Sequence, residues 1–86
     1  MIVRLSEEAI KSLLDIDKIN TKRIKERIYK FIDSPESCNF KKLKGYNDRY
    51  RIRQGDYRII CEFLKESVKV LHVVAIKHRR EAYRDL

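Results

Sequence analysis

Between Tyr50 and Phe63 apolar and polar residues alternate on either side of Gln54-Gly55, the pattern of two strands joined by a tight turn. With Gln54-Gly55 as the loop and Gly55 supplying its positive φ, Arg53 would face Asp56, Ile52 would face Tyr57, Arg51 would face Arg58, and Tyr50 would face Ile59. Tyr50, Ile52, Tyr57, Ile59, Cys61 and Phe63 then share one apolar face. Arg49, Arg51, Arg53, Asp56, Arg58, Ile60 and Glu62 share the other. A loop one residue longer would mix the two sets, so the sorting supports the register.

The remaining pattern builds around this hairpin. Met1 to Leu5 is short and β-branched, a strand, and Ser6 can cap a helix whose first turn carries Glu7 and Glu8, where the helix dipole favours negative charge. Ala9, Ile10, Leu13, Leu14 and Ile16 form its expected core stripe. Asn20 is the expected cap of a second helix that buries Ile24, Ile28, Phe31 and Ile32 and ends before Pro35. Phe40 to Leu43 is strand-like, Lys44-Gly45 and Leu64 to Ser67 are turns, and Val68 to Ile76 is apolar enough for a strand inside a sheet. Lys77 to Leu86 is a polar tail that can wind into a short helix. These elements predict an α+β fold in the order β-α-α-β-β-β, as one domain over residues 1–86. A small, twisted, mainly antiparallel sheet would carry the helical hairpin on one face and leave the other open, with at least one unpaired strand edge.

Charge sharpens this picture. Like charges opposite one another weaken a sheet, yet the polar face of the hairpin gathers Arg49, Arg51, Arg53 and Arg58 with Asp56 to offset them. Guanidinium groups held on a rigid hairpin suit a phosphate or another oxyanion. The competing reading is a solvated face whose arginines pair with carboxylates from elsewhere. In the 86-residue chain Lys+Arg number 21 against 13 Asp+Glu, so the net charge is +8 and the pI about 9.7, which implies a polyanionic partner. Lys22, Arg23, Lys25, Arg27 and Lys30 give the second helix a basic outer face, which is either solvated surface or a supplementary contact to an RNA backbone. No apolar run approaches the roughly twenty residues that span a bilayer, and no signal-peptide pattern opens the chain, so a membrane role is not expected. Cys38 and Cys61 read as reduced thiols of a cytoplasmic protein, and two cysteines and two histidines so scattered predict neither a metal site nor a cofactor. His72, between Leu71 and Val73, reads as a hydrogen-bonded structural residue.

Four pieces, Lys42-Leu43-Lys44-Gly45, Tyr50-Arg51-Ile52-Arg53, Gly55-Asp56-Tyr57-Arg58-Ile59-Ile60 and His78-Arg79-Arg80-Glu81-Ala82-Tyr83, occur in this order. Together they resemble the RelE branch of the RelE/ParE toxin superfamily. The resemblance implies a toxin of a type II toxin–antitoxin system, an endoribonuclease that cuts mRNA on the ribosome by attack of a 2′-hydroxyl on the neighbouring phosphate, without metal. It also implies inhibition by a RelB-like antitoxin in a hetero-oligomeric complex of higher order. By motif it places Arg51, Arg53, Arg58, His78, Arg79 or Arg80, and Tyr83 in the catalytic set, with Arg51 and Arg58 as the phosphate clamp. His78 would lie by the open face as acid or base, and Tyr83 would stack on a base or move a proton. Lys42, Lys44 and Arg49, with Lys22, Arg23 and Lys25 on the second helix, are the expected RNA contacts outside the catalytic set. The rival readings are a ParE-like inhibitor of DNA gyrase and a non-catalytic RNA-binding module.

Overall fold

The computed structural model describes residues 2–45, 49–65 and 69–82. Strand β1 (Ile2–Leu5) leads into helix α1 (Glu7–Asp15) and helix α2 (Lys18–Asp33). After a single 3-10 turn at Pro35–Ser37 come β2 (Phe40–Lys42), β3 (Arg49–Gln54), β4 (Tyr57–Lys65), β5 (Lys69–His78) and a short helix α3 (Arg79–Ala82). The strands form one sheet in the order β1-β5-β4-β3-β2, antiparallel except where β1 runs parallel to β5. The α+β class and the mainly antiparallel sheet are as expected, with β2 as one strand more than the β-α-α-β-β-β order. β5 lies inside the sheet and runs on to His78, two residues past the expected end at Ile76.

Local chemistry explains the helix starts. The Ser6 hydroxyl accepts a hydrogen bond from the Ala9 amide at 3.0 Å and donates to the Val74 carbonyl, tying the start of α1 to β5. The cap of α2 is Asp17 rather than Asn20. Its carboxylate accepts from both the backbone and the side-chain nitrogen of Asn20, at 3.0 and 2.7 Å. Asn20 thus lies in the first turn and supplies donors to a cap, and a carboxylate serves that role at least as well as an amide.

The core lies between the helices and the sheet. Ala9, Ile24, Ile28 and Phe31 pack on Ile52, Ile59, Cys61, Leu71, Val73 and Ile76. The Phe31 ring meets those of Phe40, Tyr50 and Phe63 at centroid distances of 5.5, 6.0 and 5.9 Å. The expected α1 stripe is corrected: Ala9 is buried and Leu13 and Ile16 pack on the core, but Ile10 and Leu14 turn outward, Leu14 being 80% exposed. At about 100° per residue the stripe was too wide for one sheet to cover.

The hairpin register is corrected as well. Gln54 pairs with Tyr57, Arg53 with Arg58, Ile52 with Ile59, Arg51 with Ile60, Tyr50 with Cys61 and Arg49 with Glu62. The loop is therefore Gly55-Asp56, with Gly55 at φ +58° in its first position, as a two-residue turn opening on glycine requires. Sliding the register by two residues leaves each side chain on its face. The two faces of the hairpin are sorted as expected, while the opposing pairs change. Between β4 and β5 the pairing steps from Cys61↔Val73 to Ile60↔Ala75, which leaves Val74 as a bulged residue.

The second face of the sheet is covered in part. Leu43, which follows β2, packs with Ile60 and Ala75 in a small buried cluster joined by Val74.

Candidate functional site

Beside that cluster the second face forms a pocket of about 280 Å³ lined by Asn39, Phe40, Lys41, Arg51, Arg53 and Arg58. Strand pairing places each cation. Arg53 faces Arg58 across the hairpin, and Lys41 faces Arg51 across the β2–β3 ladder, so four basic side chains from three adjacent strands converge. Arg53 is exposed and Arg51 half-buried, while Arg58 keeps only 5% exposure. The Arg58 guanidinium is oriented by the turn, with Nη1 donating to the carbonyls of Gly55 and Tyr57 at 3.0 Å each. These two bonds fix the plane of the guanidinium at the end of the pocket. The pocket can bind a tetrahedral oxyanion through charge-assisted hydrogen bonds.

Lys41 is the residue that motif comparison missed. Its signal was present in the pattern: Phe40 must face the helices, so Lys41 must face away, while Lys42 pairs with Tyr50 and stands on the helix side. The expected RNA contact at Lys42 is thus on the wrong face for this pocket. Lys44 is exposed in the turn before Gly45, whose φ is +83°. Arg49 is committed elsewhere. Its Nε and Nη2 donate to Glu62 Oε2 at 3.3 and 3.0 Å, and His72 Nδ1 lies 3.3 Å from Glu62 Oε1. Burial alone would raise the Glu62 carboxyl, but the hydrogen bonds from Arg49 and His72, together with their charges, hold it below its ordinary value. The carboxylate-paired reading of the arginines is therefore right for Arg49, and the structural reading of His72 agrees with its bond to Glu62.

The tail is tied to the hairpin. Arg79 donates its backbone N–H to the Asp56 carbonyl at 2.7 Å, and its Nη1 lies 3.8 Å from Asp56 Oδ1. Arg80 is exposed, with its backbone N 3.4 Å from His78 Nδ1. His78 is not brought to the pocket. It pairs with Tyr57, ring centroids 5.6 Å apart, on the face that carries Ile59 and Ile76, whereas Lys77 is the residue paired with Arg58. The physical reason is strand parity: β5 continues through His78, so that side chain alternates with Lys77 instead of leaving on a tail. Tyr83 lies outside the described residues. Cys61 offers no nucleophile, because burial, then the neighbouring Glu62 charge, pushes its thiol up to about 12.

The basic face of α2 divides in two. Lys22 and Lys25 border a largely apolar groove of about 740 Å³ with Leu13, Leu14, Ile16 and Tyr29, between α1 and α2. Arg23 instead lines a cleft with Glu26, Arg27, Lys30 and Gln54 at the hairpin turn.

Fold and pocket together define a small basic α+β protein whose sheet carries a core on one side and clustered cations on the other. The chain belongs to the family described as ParE toxin of type II toxin-antitoxin system, parDE, which it matches over residues 3–83. It is similar to the candidate toxin RelE1 of Methanocaldococcus jannaschii, with 29% identity over 86 residues, covering 96% of this chain and 94% of that protein. Among solved structures it resembles the RelB-RelE antitoxin-toxin complex from Methanococcus jannaschii, with a TM-score of 0.71 and 28% identity over 96% of this chain and 98% of that one. The archaeal RelE-RelB complex from Pyrococcus horikoshii OT3 gives a TM-score of 0.73 and 29% identity over 91% and 93% of the two chains. A mutant of E. coli RelE in the free state, 24% identical, shares the fold at a TM-score of 0.75 over 96% and 90%. The relatives it resembles are RelE proteins, and the family match makes the chain a toxin of a type II toxin–antitoxin system.

Proposed function

We propose that this toxin is an endoribonuclease that acts in the cytoplasm on mRNA held by the ribosome. The observation that carries the reading is the convergence of Lys41, Arg51, Arg53 and Arg58 in one pocket. In the reaction the 2′-hydroxyl of one nucleotide loses its proton and attacks the adjacent phosphorus. The bond to the 5′-oxygen of the next nucleotide breaks, that oxygen takes up a proton, and a 2′,3′-cyclic phosphate remains. Negative charge grows on the non-bridging oxygens, and Arg51, Arg53 and Arg58 stabilise it, with Lys41 beside them. Arg79 or Arg80, tied next to the turn, adds to the clamp, and Tyr83 takes the stacking or proton-transfer role. His78 is left out of the proton transfers because its ring lies against Tyr57 on the other face.

A RelB-like antitoxin is the proposed partner, in a hetero-oligomer of higher order. Its support is a surface that water alone does not favour: Leu14, Ile19 and Tyr29 are 80%, 66% and 63% exposed on the two helices, and Leu14 and Tyr29 share the apolar groove with Lys18, Lys22 and Lys25. An acidic amphipathic segment fits that combination. The edge strands β1 and β2, four and three residues long, offer short sites for strand addition.

The second reading, inhibition of DNA gyrase, is favoured by the ParE description of the family match. Mapping RNA ends on translating ribosomes, beside a gyrase supercoiling assay, decides between them. Cleavage with a cyclic phosphate end, reduced at least about a hundredfold by Arg51→Ala, is the expected result. Gyrase inhibition without cleavage would overturn the nuclease reading.

A further inference from the structure

The cleft of about 290 Å³ at the hairpin turn is the less obvious of the two cationic sites. Arg27 donates from Nε to Gln54 Oε1 at 2.8 Å, so a residue of α2 is fixed against the last residue of β3. Arg23 and Lys30 flank it on the same side of the helix, at the spacing that stacks side chains along one face. Glu26 stands three residues after Arg23 and four before Lys30, where helical ion pairs commonly form. Yet among the described residues Arg23, Arg27 and Lys30 take part in no ion pair. Arg27 is half-buried and its bond to Gln54 uses Nε alone, which leaves both Nη groups for a ligand. Position supplies the second argument. Gln54 follows Arg53, which lines the first pocket, so the two cationic sites occupy opposite faces of β3 at its turn end. β2 pairs with β3 only as far as Ile52, with one further bond from the Arg53 amide to the Asn39 carbonyl. Past Arg53, among the described residues, no strand pairs with β3 on the edge that faces β2, although Gln54 still pairs with Tyr57 of β4 on the other edge.

We propose that Arg23, Arg27, Lys30 and Gln54 form a second phosphate-binding site, for the backbone of the same RNA strand that the first pocket holds. The inference deepens the nuclease reading and rests on it for the identity of the ligand. A strand clamped at the cut site and again around the turn is fixed in direction as well as position, which in-line attack requires.

The test uses 2′-O-methyl RNA, which lacks the attacking hydroxyl and so reports binding whether or not the protein cleaves. Fluorescence anisotropy is measured for a trinucleotide and for a dodecanucleotide, with the whole chain. The double variant Arg27→Ala with Lys30→Ala should leave the trinucleotide unchanged and weaken the dodecanucleotide on the order of tenfold, the scale of one charge-assisted contact. The slope of log affinity against log salt should fall by about 0.7 for each phosphate released. Arg23→Ala with Lys30→Ala keeps the Arg27–Gln54 bond and should weaken the longer RNA too, which guards against a loss caused by misfolding. Unchanged dodecanucleotide binding in both variants would overturn the site, as would equal loss of both RNAs. Loss of binding only to ribosomes free of mRNA would also overturn it, since the phosphate would then be ribosomal. Arg51→Ala tests the first pocket separately: a trinucleotide indifferent to it would sink the nuclease reading and leave the result for the cleft standing.

Discussion

The two faces of the sheet are made from alternate residues of the same strands, and they differ in what holds them. On the helix side Ile52, Ile59, Leu71 and Val73 meet Phe31 and Ile24 in a contiguous apolar core. On the other side Leu43, Ile60 and Ala75 suffice to seal the middle, between the cationic pocket at the turn end and the Arg49–Glu62–His72 group farther along. Most hydrophobic stabilisation therefore rests on one face, which frees the other to carry like charges that would weaken a sheet lacking such a core. A small domain with one modest core has little stability to lose, so the face with the pocket depends on residues that never touch it.

The largest effect should come from the helix side. Phe31→Ala removes the ring that Phe40, Tyr50 and Phe63 surround, at a cost of about 3 to 5 kcal/mol. Urea denaturation should show the variant mostly unfolded; a loss below about 1 kcal/mol would mean the faces share the core more evenly than the packing indicates. Next is Arg58, the pocket residue that belongs to both economies. Its bonds to the Gly55 and Tyr57 carbonyls mean that Arg58→Ala should cost about 1 to 3 kcal/mol of stability in addition to cleavage. Arg58→Lys keeps the charge but not the fork, and should recover stability more than activity. Equal recovery of both would show that charge alone serves the pocket.

Much of this was legible in the chain, for reasons that can be named. The apolar alternation from Tyr50 to Phe63 marked the faces, and a register displaced by two residues preserved them. That same displacement concealed the Arg53–Arg58 and Arg49–Glu62 pairs, because whether glycine takes the first or second place of a two-residue loop depends on turn type and not on composition. Parity accounts for two differences: Lys41, given no role from the sequence, belongs to a strand read only as strand-like, and His78, expected by the open face, belongs to a strand that continues two residues further. The division of the α2 lysines and arginines between two clefts required knowing where α1 and the hairpin turn lie around that helix, which is tertiary information.

The smallest of these effects concerns the far end of the charged face. Glu62 accepts from Arg49 and His72 at a quarter exposure, and Arg4 stands beside His72 in the β1–β5 register. Its carboxyl titrates below the ordinary 4.5 when folded. A lowered folded value means that the unfolded chain binds the proton more tightly. The Glu62 contribution is therefore complete above pH 4.5 and is lost as the pH falls through the folded value. Glu62→Gln should then be less stable than the wild type by about 1 kcal/mol at neutral pH, allowing for partial solvent screening. The gap should close in acid, where the wild-type carboxyl is protonated as well. A gap that persists unchanged would assign the effect to the shape of the side chain and not to its charge. The same variant removes a negative charge beside Arg49 on the strand that carries Arg51, so RNA affinity should rise slightly at low salt and return to the wild-type value as salt is added. If stability falls without that rise, this group braces the sheet and takes no part in setting the charge of the face.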